Sequence, residues 1–266
     1  LITRTRTKCN AELLDGTAVK FIATATIGYD HIDTDYCREH KIAWTNAPGC
    51  NSGSVMQYVT SVLLRFALKS GESLKNKTIG VIGVGNVGGK VAKAAMALGM
   101  KVLLNDPPRE RVEGSDTFTS LETVLAEEDF ITFHVPLILA GSDATFHLAD
   151  KKLFIQASKK PFLINSSRGE VVDNTALKDA LKEGLLRGAA LDVWENEPGI
   201  DLDLLNILDY ATPHIAGYSA DGKASGTAMS VNALADFFAL PFYDFEPTVP
   251  VPEDSLIQIP ENGMDE

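Results

Sequence analysis

The sequence predicts an α/β fold: a doubly wound parallel sheet inserted into a second, smaller α/β domain built from both chain ends. Three observations carry this prediction. Short apolar strands alternate with helical segments from about Lys77 to Thr212, the order that produces a parallel sheet. A glycine-rich turn, "GVIGVGNVGGK", joins the first strand of that run to its first helix. The flanks, 1–52 and 223–245, have a different and shorter pattern, and 266 residues suffice for two medium domains. Residues 53–222 are therefore assigned to the nucleotide-type domain and its linker helix.

The elements follow in order. Residues 1–52 hold two or three short βα units, with 21–24 a strand and 33–40 a helix. Residues 55–68 form the longest apolar stretch, too short to span a bilayer and interrupted by Gln57 and Arg65, so they read as a buried helix. Residues 78–82 are a strand. Residues 87–98 are a helix, small and apolar on one face and stopped by Gly99. Residues 101–104 are a strand that ends at Asn105 and Asp106. Then come a helix at 121–127, a strand at 130–133, a helix at 151–157, a strand at 161–164, a helix at 174–183 and a strand at 188–193. Residues 210–212 are a candidate sixth strand, and 219–240 one long helix broken at Pro241. The Pro- and acid-rich residues 246–266 are expected to be extended.

Composition narrows the function. Lys and Arg number 24 against 36 Asp and Glu, a net charge of −12. Generic nucleic-acid binding draws most of its affinity from a basic face and is disfavoured. Cys9, Cys37 and Cys50 give neither a disulfide framework nor metal-ligand spacing, which points to free thiols in a reducing cytoplasm and to no metal.

Gly83, Gly85 and Gly88 form G-x-G-x-x-G between a strand and a helix. Gly83 permits the tight turn, Gly85 lets a pyrophosphate approach the backbone, and Gly88 lets the helix pack on the sheet. Asp106 ends the next strand, where a carboxylate bonds ribose hydroxyls and repels a 2′-phosphate. NAD is thus the expected cofactor.

Three more residues fall at or beyond strand ends: Arg168 in "PFLINSSRG", an acid in "LDVWENEP", and His214 in "ATPHIAGYS". Ligands of open α/β sheets bind outside the carboxyl ends of the strands. Histidine can carry the proton of an alcohol being oxidised. A carboxylate would orient the ring, and a guanidinium would hold a substrate carboxylate by two bonds. Spacing leaves Glu195 and Glu197 both open.

In order along the chain, "GVIGVGNVGGKVA", "LINSSRGEVVDNTALKDAL", "AALDVWENEP" and "TPHIAG" resemble the D-isomer-specific 2-hydroxyacid dehydrogenases, over nearly the whole length. That resemblance implies a Rossmann nucleotide domain inserted into a flavodoxin-like substrate domain. It implies Arg168, Glu197 (the Glu directly before Pro) and His214 as catalytic residues. On the cofactor side it adds Asn86, Val87, Val135, Ser166, Ser167, Asp192 and Gly217, and toward the substrate Thr5, Thr26 and Tyr218.

Finer motifs, "TATIGYDHID", "NAPGCNSGSV", "LLNDPPRE" and "ATPHIAGYSADGKASGTAMS", resemble one branch whose substrate is a small phosphorylated 2-hydroxyacid. The short link from Glu197 to His214 also resembles that branch. Members of the family carry a further N-terminal βα segment, and those of the branch also a C-terminal dimerisation domain, so this chain reads as clipped and as part of a homodimer. Ile138 stands where the family usually has threonine. The basic run Arg4-Thr5-Arg6-Thr7-Lys8 is a candidate for the substrate phosphate, since alternate residues of an extended segment share a face. Competing readings are a D-3-phosphoglycerate or hydroxypyruvate enzyme and a non-catalytic NAD-sensing scaffold.

Overall fold

The computed structural model describes residues 1–249 apart from Ser115 and Tyr243, so most of the expected tail at 246–266 lies outside the described residues. The chain divides into two compact units, one of Leu1–Ala47 with the chain from Lys223, the other of Pro48–Gly222. The boundary falls after Ala47 instead of after residue 52. The reason is local: Asn51 and Ser54 bond to the carbonyls of Gly217 and Ala216, which ties the start of the long helix to the second unit.

The first unit contains β1 (Ile2–Thr3), α1 (Ala11–Leu14), β2 (Phe21–Thr24), α2 (Thr34–Glu39) and β3 (Ala43–Thr45). The strands form a parallel sheet in the order β1-β2-β3. Asn10 and Asp33 start the two helices by accepting bonds from Leu13 N and Tyr36 N, which satisfies backbone donors that a helix leaves open. Cys9, Leu14, Ile22, Ile32, Cys37 and Ile42 make its core. Both cysteines are buried free thiols, and burial pushes their pKa up.

The second unit begins with α3 (Ser52–Ser70), β4 (Thr78–Ile82), α4 (Gly88–Ala97), β5 (Lys101–Asn105), α5 (Pro107–Glu113), α6 (Leu121–Glu127) and β6 (Phe130–Phe133). It continues through α7 (Lys151–Gln156), β7 (Phe162–Asn165), a 3-10 turn at Gly169–Val171, α8 (Asn174–Lys182), β8 (Gly188–Leu191), α9 (Leu202–Leu205) and β9 (Tyr210–Ala211). Helix α10 (Ala220–Phe238) leads the chain back to the first unit.

The six strands run parallel in the order β5-β4-β6-β7-β8-β9. Side chains of a strand alternate between faces, and the two cores show it. Phe162 and Ile164 join one core with Phe66 of α3 and Val91 of α4, while Leu163 joins the other with Phe154 of α7 and Leu177 of α8. Phe66 meets the rings of Phe130 and Phe162 edge-on at 5.0 and 5.1 Å.

Register positions the functional loops. Ile82 pairs with Asn105 and Phe133, Phe133 with Asn165, Asn165 with Leu191, and Leu191 with Ala211. All six strands therefore end level, and Gly83, Asp106, Val135, Ser166, Asp192 and His214 leave from one rim. The strand order reverses beside β4, which opens a crevice there.

Helices α5 and α9 were not expected from the sequence. Two prolines open α5, where a missing N–H costs nothing, and Asp106 caps it by accepting from Arg109 N. Asp201 caps α9 in the same way within the acidic loop.

Candidate active site

The glycine turn is shaped as its sequence suggests. Gly83 has φ +85°, and a Cβ there would lie 2.6 Å from the His134 carbonyl oxygen and 2.8 Å from Val135 Cγ1. A Cβ on Gly88 would sit 1.9 Å from the Gly83 oxygen, so α4 packs directly on the turn. At Gly85 nothing comes within 4 Å, which leaves room for a phosphate to reach the backbone. Asn86 is exposed at the tip, its side chain against Gly49, and Val87 is the N-cap of α4.

Asp106 accepts from Val84 N at 2.8 Å and from Arg109 N at 3.1 Å, one bond to each oxygen. Each oxygen retains a second acceptor direction for a hydroxyl. Ser166 Oγ is buried without a hydrogen-bond partner, an orphaned polar atom on the same rim. His134 beside it is held neutral, because burial pushes its pKa down to about 3. An open backbone cradle, a ribose-type carboxylate and an orphan hydroxyl fit a dinucleotide.

The loop after β8 and the loop after β9 meet at a hydrogen-bonded pair. Trp194 N donates to Glu197 Oε1 at 2.9 Å, and His214 Nδ1 lies 2.9 Å from Glu197 Oε2. A carboxylate only accepts, so Nδ1 carries the N–H and the lone pair of the neutral ring is on Nε2. His214 has φ +57°, a conformation costing a non-glycine residue on the order of 1 kcal/mol. Asp192 maintains it. Its carbonyl accepts from His214 N at 2.7 Å, and its carboxylate from Thr212 Oγ1 at 2.6 Å and from Ile215 N and Ala216 N, each at 2.8 Å. Asp192 is 1% exposed. The residue carried over as cofactor-binding thus orders the histidine loop.

Tyr58 Oη donates to Thr212 Oγ1 at 2.8 Å, since the threonine proton goes to Asp192. Trp194 Nε1 donates to the Thr212 carbonyl at 3.0 Å. A Cβ on Gly217 would sit 2.1 Å from Asn51 Nδ2, so the loop lies flat on the start of α3. Tyr218 is 69% exposed beyond it. Asn51, Ser54, Tyr58 and Thr212 support the site but were not picked out from the sequence.

Arg168 follows β7, and its Nη1 donates to the Ser167 carbonyl at 2.7 Å. Buried Asn165 shapes the turn: Nδ2 donates to Arg168 O, and Oδ1 accepts from Ser167 N and Ser167 Oγ. A Cβ on Gly169 would lie 2.0 Å from the Trp194 oxygen and 2.6 Å from Glu195 N. The S-R-G turn is therefore in contact with the Glu197 loop.

Glu195, the rival acid, is otherwise engaged. Its Oε1 lies 2.6 Å from His147 Nε2, and its Oε2 accepts from Asn174 N at 2.8 Å. It ties its loop to α8 and leaves Glu197 as the partner of His214.

In the first unit, Thr26 Oγ1 donates to the Gly28 carbonyl at 2.9 Å and lies 2.8 Å from Thr24 Oγ1. Thr5, Arg4 and Arg6 are exposed. The expected extended face of Arg4, Arg6 and Lys8 does not form, because Thr7 N bonds back to Arg4 O and bends the chain into a turn. Arg4 lines an open cleft of about 430 Å³ with Thr3, Thr7, Ala25, Thr227 and Val231, and Arg6 is not among its lining residues. Among the described residues no His, Cys, Asp and Glu cluster could hold a metal, and no helix is long and apolar enough to cross a membrane.

Residues 62–216 match the family model "D-isomer specific 2-hydroxyacid dehydrogenase, NAD binding domain". The chain is 56% identical over 263 residues to erythronate-4-phosphate dehydrogenase of Bacteroides thetaiotaomicron, covering 97% of this chain and 74% of that protein. Among solved structures it resembles D-lactate dehydrogenase of Aquifex aeolicus complexed with NAD and lactic acid, with TM-score 0.75 and 29% identity over 90% of this chain and 82% of that one. It also resembles an NADPH-dependent glyoxylate/hydroxypyruvate reductase of Sinorhizobium meliloti in complex with NADP and malonate, with TM-score 0.71 and 26% identity over 83% and 75%. This chain belongs to the D-isomer specific 2-hydroxyacid dehydrogenases. It is an NAD-dependent oxidoreductase with the α/β fold of that family.

Proposed function

We propose that the protein oxidises 4-phospho-D-erythronate at C2 to 3-hydroxy-2-oxo-4-phosphobutanoate, a step toward pyridoxal 5′-phosphate. The observation that carries the chemistry is the Glu197–His214 bond of 2.9 Å on the rim that also bears the glycine cradle. The substrate assignment is supported by the relative at 56% identity.

When bound, NAD supplies the acceptor for the two electrons that leave C2 with its hydrogen. The residues fitted to hold it are Gly83, Gly85, Asn86, Val87, Gly88, Asp106, Val135, Ser166, Ser167 and Gly217, with Asp192 fixing the loop. His214 Nε2 takes the hydroxyl proton, so that the C2 oxygen can close its double bond to carbon. Glu197 keeps the ring oriented and stabilises the imidazolium formed. Arg168 turns its guanidinium to the substrate carboxylate and polarises the neighbouring oxygen. The family resemblance adds Thr5, Thr26 and Tyr218 as candidate substrate residues. Arg4 in its cleft is the foremost candidate for the phosphate, with Arg6 a second.

The test is a turnover panel of 4-phospho-D-erythronate, D-3-phosphoglycerate, hydroxypyruvate and unphosphorylated erythronate. The proposal expects the first to give the highest kcat/KM. Preference for phosphoglycerate or hydroxypyruvate would assign another branch. Tight NAD binding without turnover of any would indicate a scaffold.

A further inference from the structure

We propose that Glu113 sets which dinucleotide the enzyme accepts, by withholding the Arg109 guanidinium from a 2′-phosphate. This rests on the cofactor site described above and not on the substrate assignment.

Arg109 sits one helical turn beyond Asp106, and its backbone N–H bonds the Asp106 carboxylate. Its side chain folds back onto the glycine turn, where Nη1 donates to the Val84 carbonyl at 2.5 Å. Val84 N in turn donates to Asp106. The guanidinium is thus anchored to the same residue as the carboxylate fitted for the ribose hydroxyls. A cation in that position is what a 2′-phosphate requires.

Here the cation is already committed. Nε and Nη2 donate to Glu113 Oε1 and Oε2 at 2.6 and 2.7 Å, a two-bond grip of the geometry that guanidinium groups give to phosphates. Phe118 covers one face, with Cζ 5.3 Å from the ring centre. Glu113 therefore occupies the donors that a 2′-phosphate would use and cancels the local positive charge. Asp106 then leaves the ribose end net negative. The pair is only partly buried, with side chains 41% and 47% exposed, so its grip is modest and one substitution suffices to release it.

The test uses the full chain and reads dinucleotide binding by fluorescence titration of NADPH and NADH, with no substrate present. The variants are Asp106→Ser, Asp106→Ser with Glu113→Gln, and that pair with Arg109→Ala. Asp106→Asn replaces the serine variant should that fail to fold. The affinity ratio of NADPH to NADH should rise about fivefold or more when Glu113→Gln is added, an increment comparable to one exposed ion pair. Adding Arg109→Ala should abolish the rise. Because the ratio is read, any support Arg109 lends the glycine turn cancels. An unchanged ratio on adding Glu113→Gln overturns the proposal. So does a rise that survives Arg109→Ala, which would mean that lost negative charge, not a freed guanidinium, was responsible.

Discussion

Glu128 offers a sharp energetic test of the second unit. It ends α6, is 0% exposed, and neither carboxylate oxygen has a hydrogen-bond partner. Burial raises its pKa to about 7, opposed by the nearby backbone N–H groups of Glu128 and Glu127 and by Lys159, with Asp129 adding to the shift. The ordinary value is about 4.3. A raised carboxyl pKa means that the folded state prefers the protonated form. Below about pH 4 both states are protonated and the group costs nothing. As pH rises toward 7 the unfolded chain ionises first and stability falls. Well above pH 7 the full penalty stands, at ~1.4 kcal/mol per pKa unit, or about 4 kcal/mol.

Glu128→Gln removes the charge and keeps the shape. In urea unfolding at pH 8 and near pH 4.5, the difference between variant and parent should shift in the variant's favour by roughly 2–3 kcal/mol at the higher pH. Any fixed cost of burying the amide drops out of that comparison. A difference that does not vary with pH would refute the reasoning and mean that Glu128 has a partner in solution.

Glu197→Gln should leave NAD affinity nearly intact and lower kcat by roughly tenfold or more, because the amide stabilises the imidazolium poorly; kcat measured under NAD saturation decides it. Gly169→Ala forces a Cβ onto the Trp194 carbonyl, so both thermal stability and turnover should fall, a scan and an assay on the same sample providing the check. Tyr58→Phe removes a single donor to Thr212 and should cost about 0.5–1.5 kcal/mol in urea unfolding. Arg4→Ala should raise KM for the phosphorylated substrate far more than for unphosphorylated erythronate, and an equal effect on both would remove Arg4 from the phosphate site.

The sequence made the six-stranded sheet legible because buried parallel strands are continuous apolar runs closed by turn residues, as at Phe162–Asn165. The tight turn at Gly83 and the strand end at Asp106 were legible because their placement is local to one βα unit. Helix α5 was hidden by Pro107 and Pro108, whose effect depends on whether they fall at a first turn or an interior. The Glu195 and Glu197 ambiguity was not local at all. It is decided by His147 and His214, which come from different loops. Asn51, Ser54 and Tyr58 act on partners more than 150 residues away in the chain, and their sequence neighbourhood shows only a helix start. Arg4 and Arg6 were grouped on the assumption of an extended segment, and one backbone bond, Thr7 N to Arg4 O, bends it.

The most direct measurement is NADH formation from 4-phospho-D-erythronate by the parent protein and by His214→Ala under saturating NAD. The account predicts robust turnover by the parent and a rate about a hundredfold to ten-thousandfold lower in the variant, with NAD binding retained. Equal rates in the two proteins would contradict it.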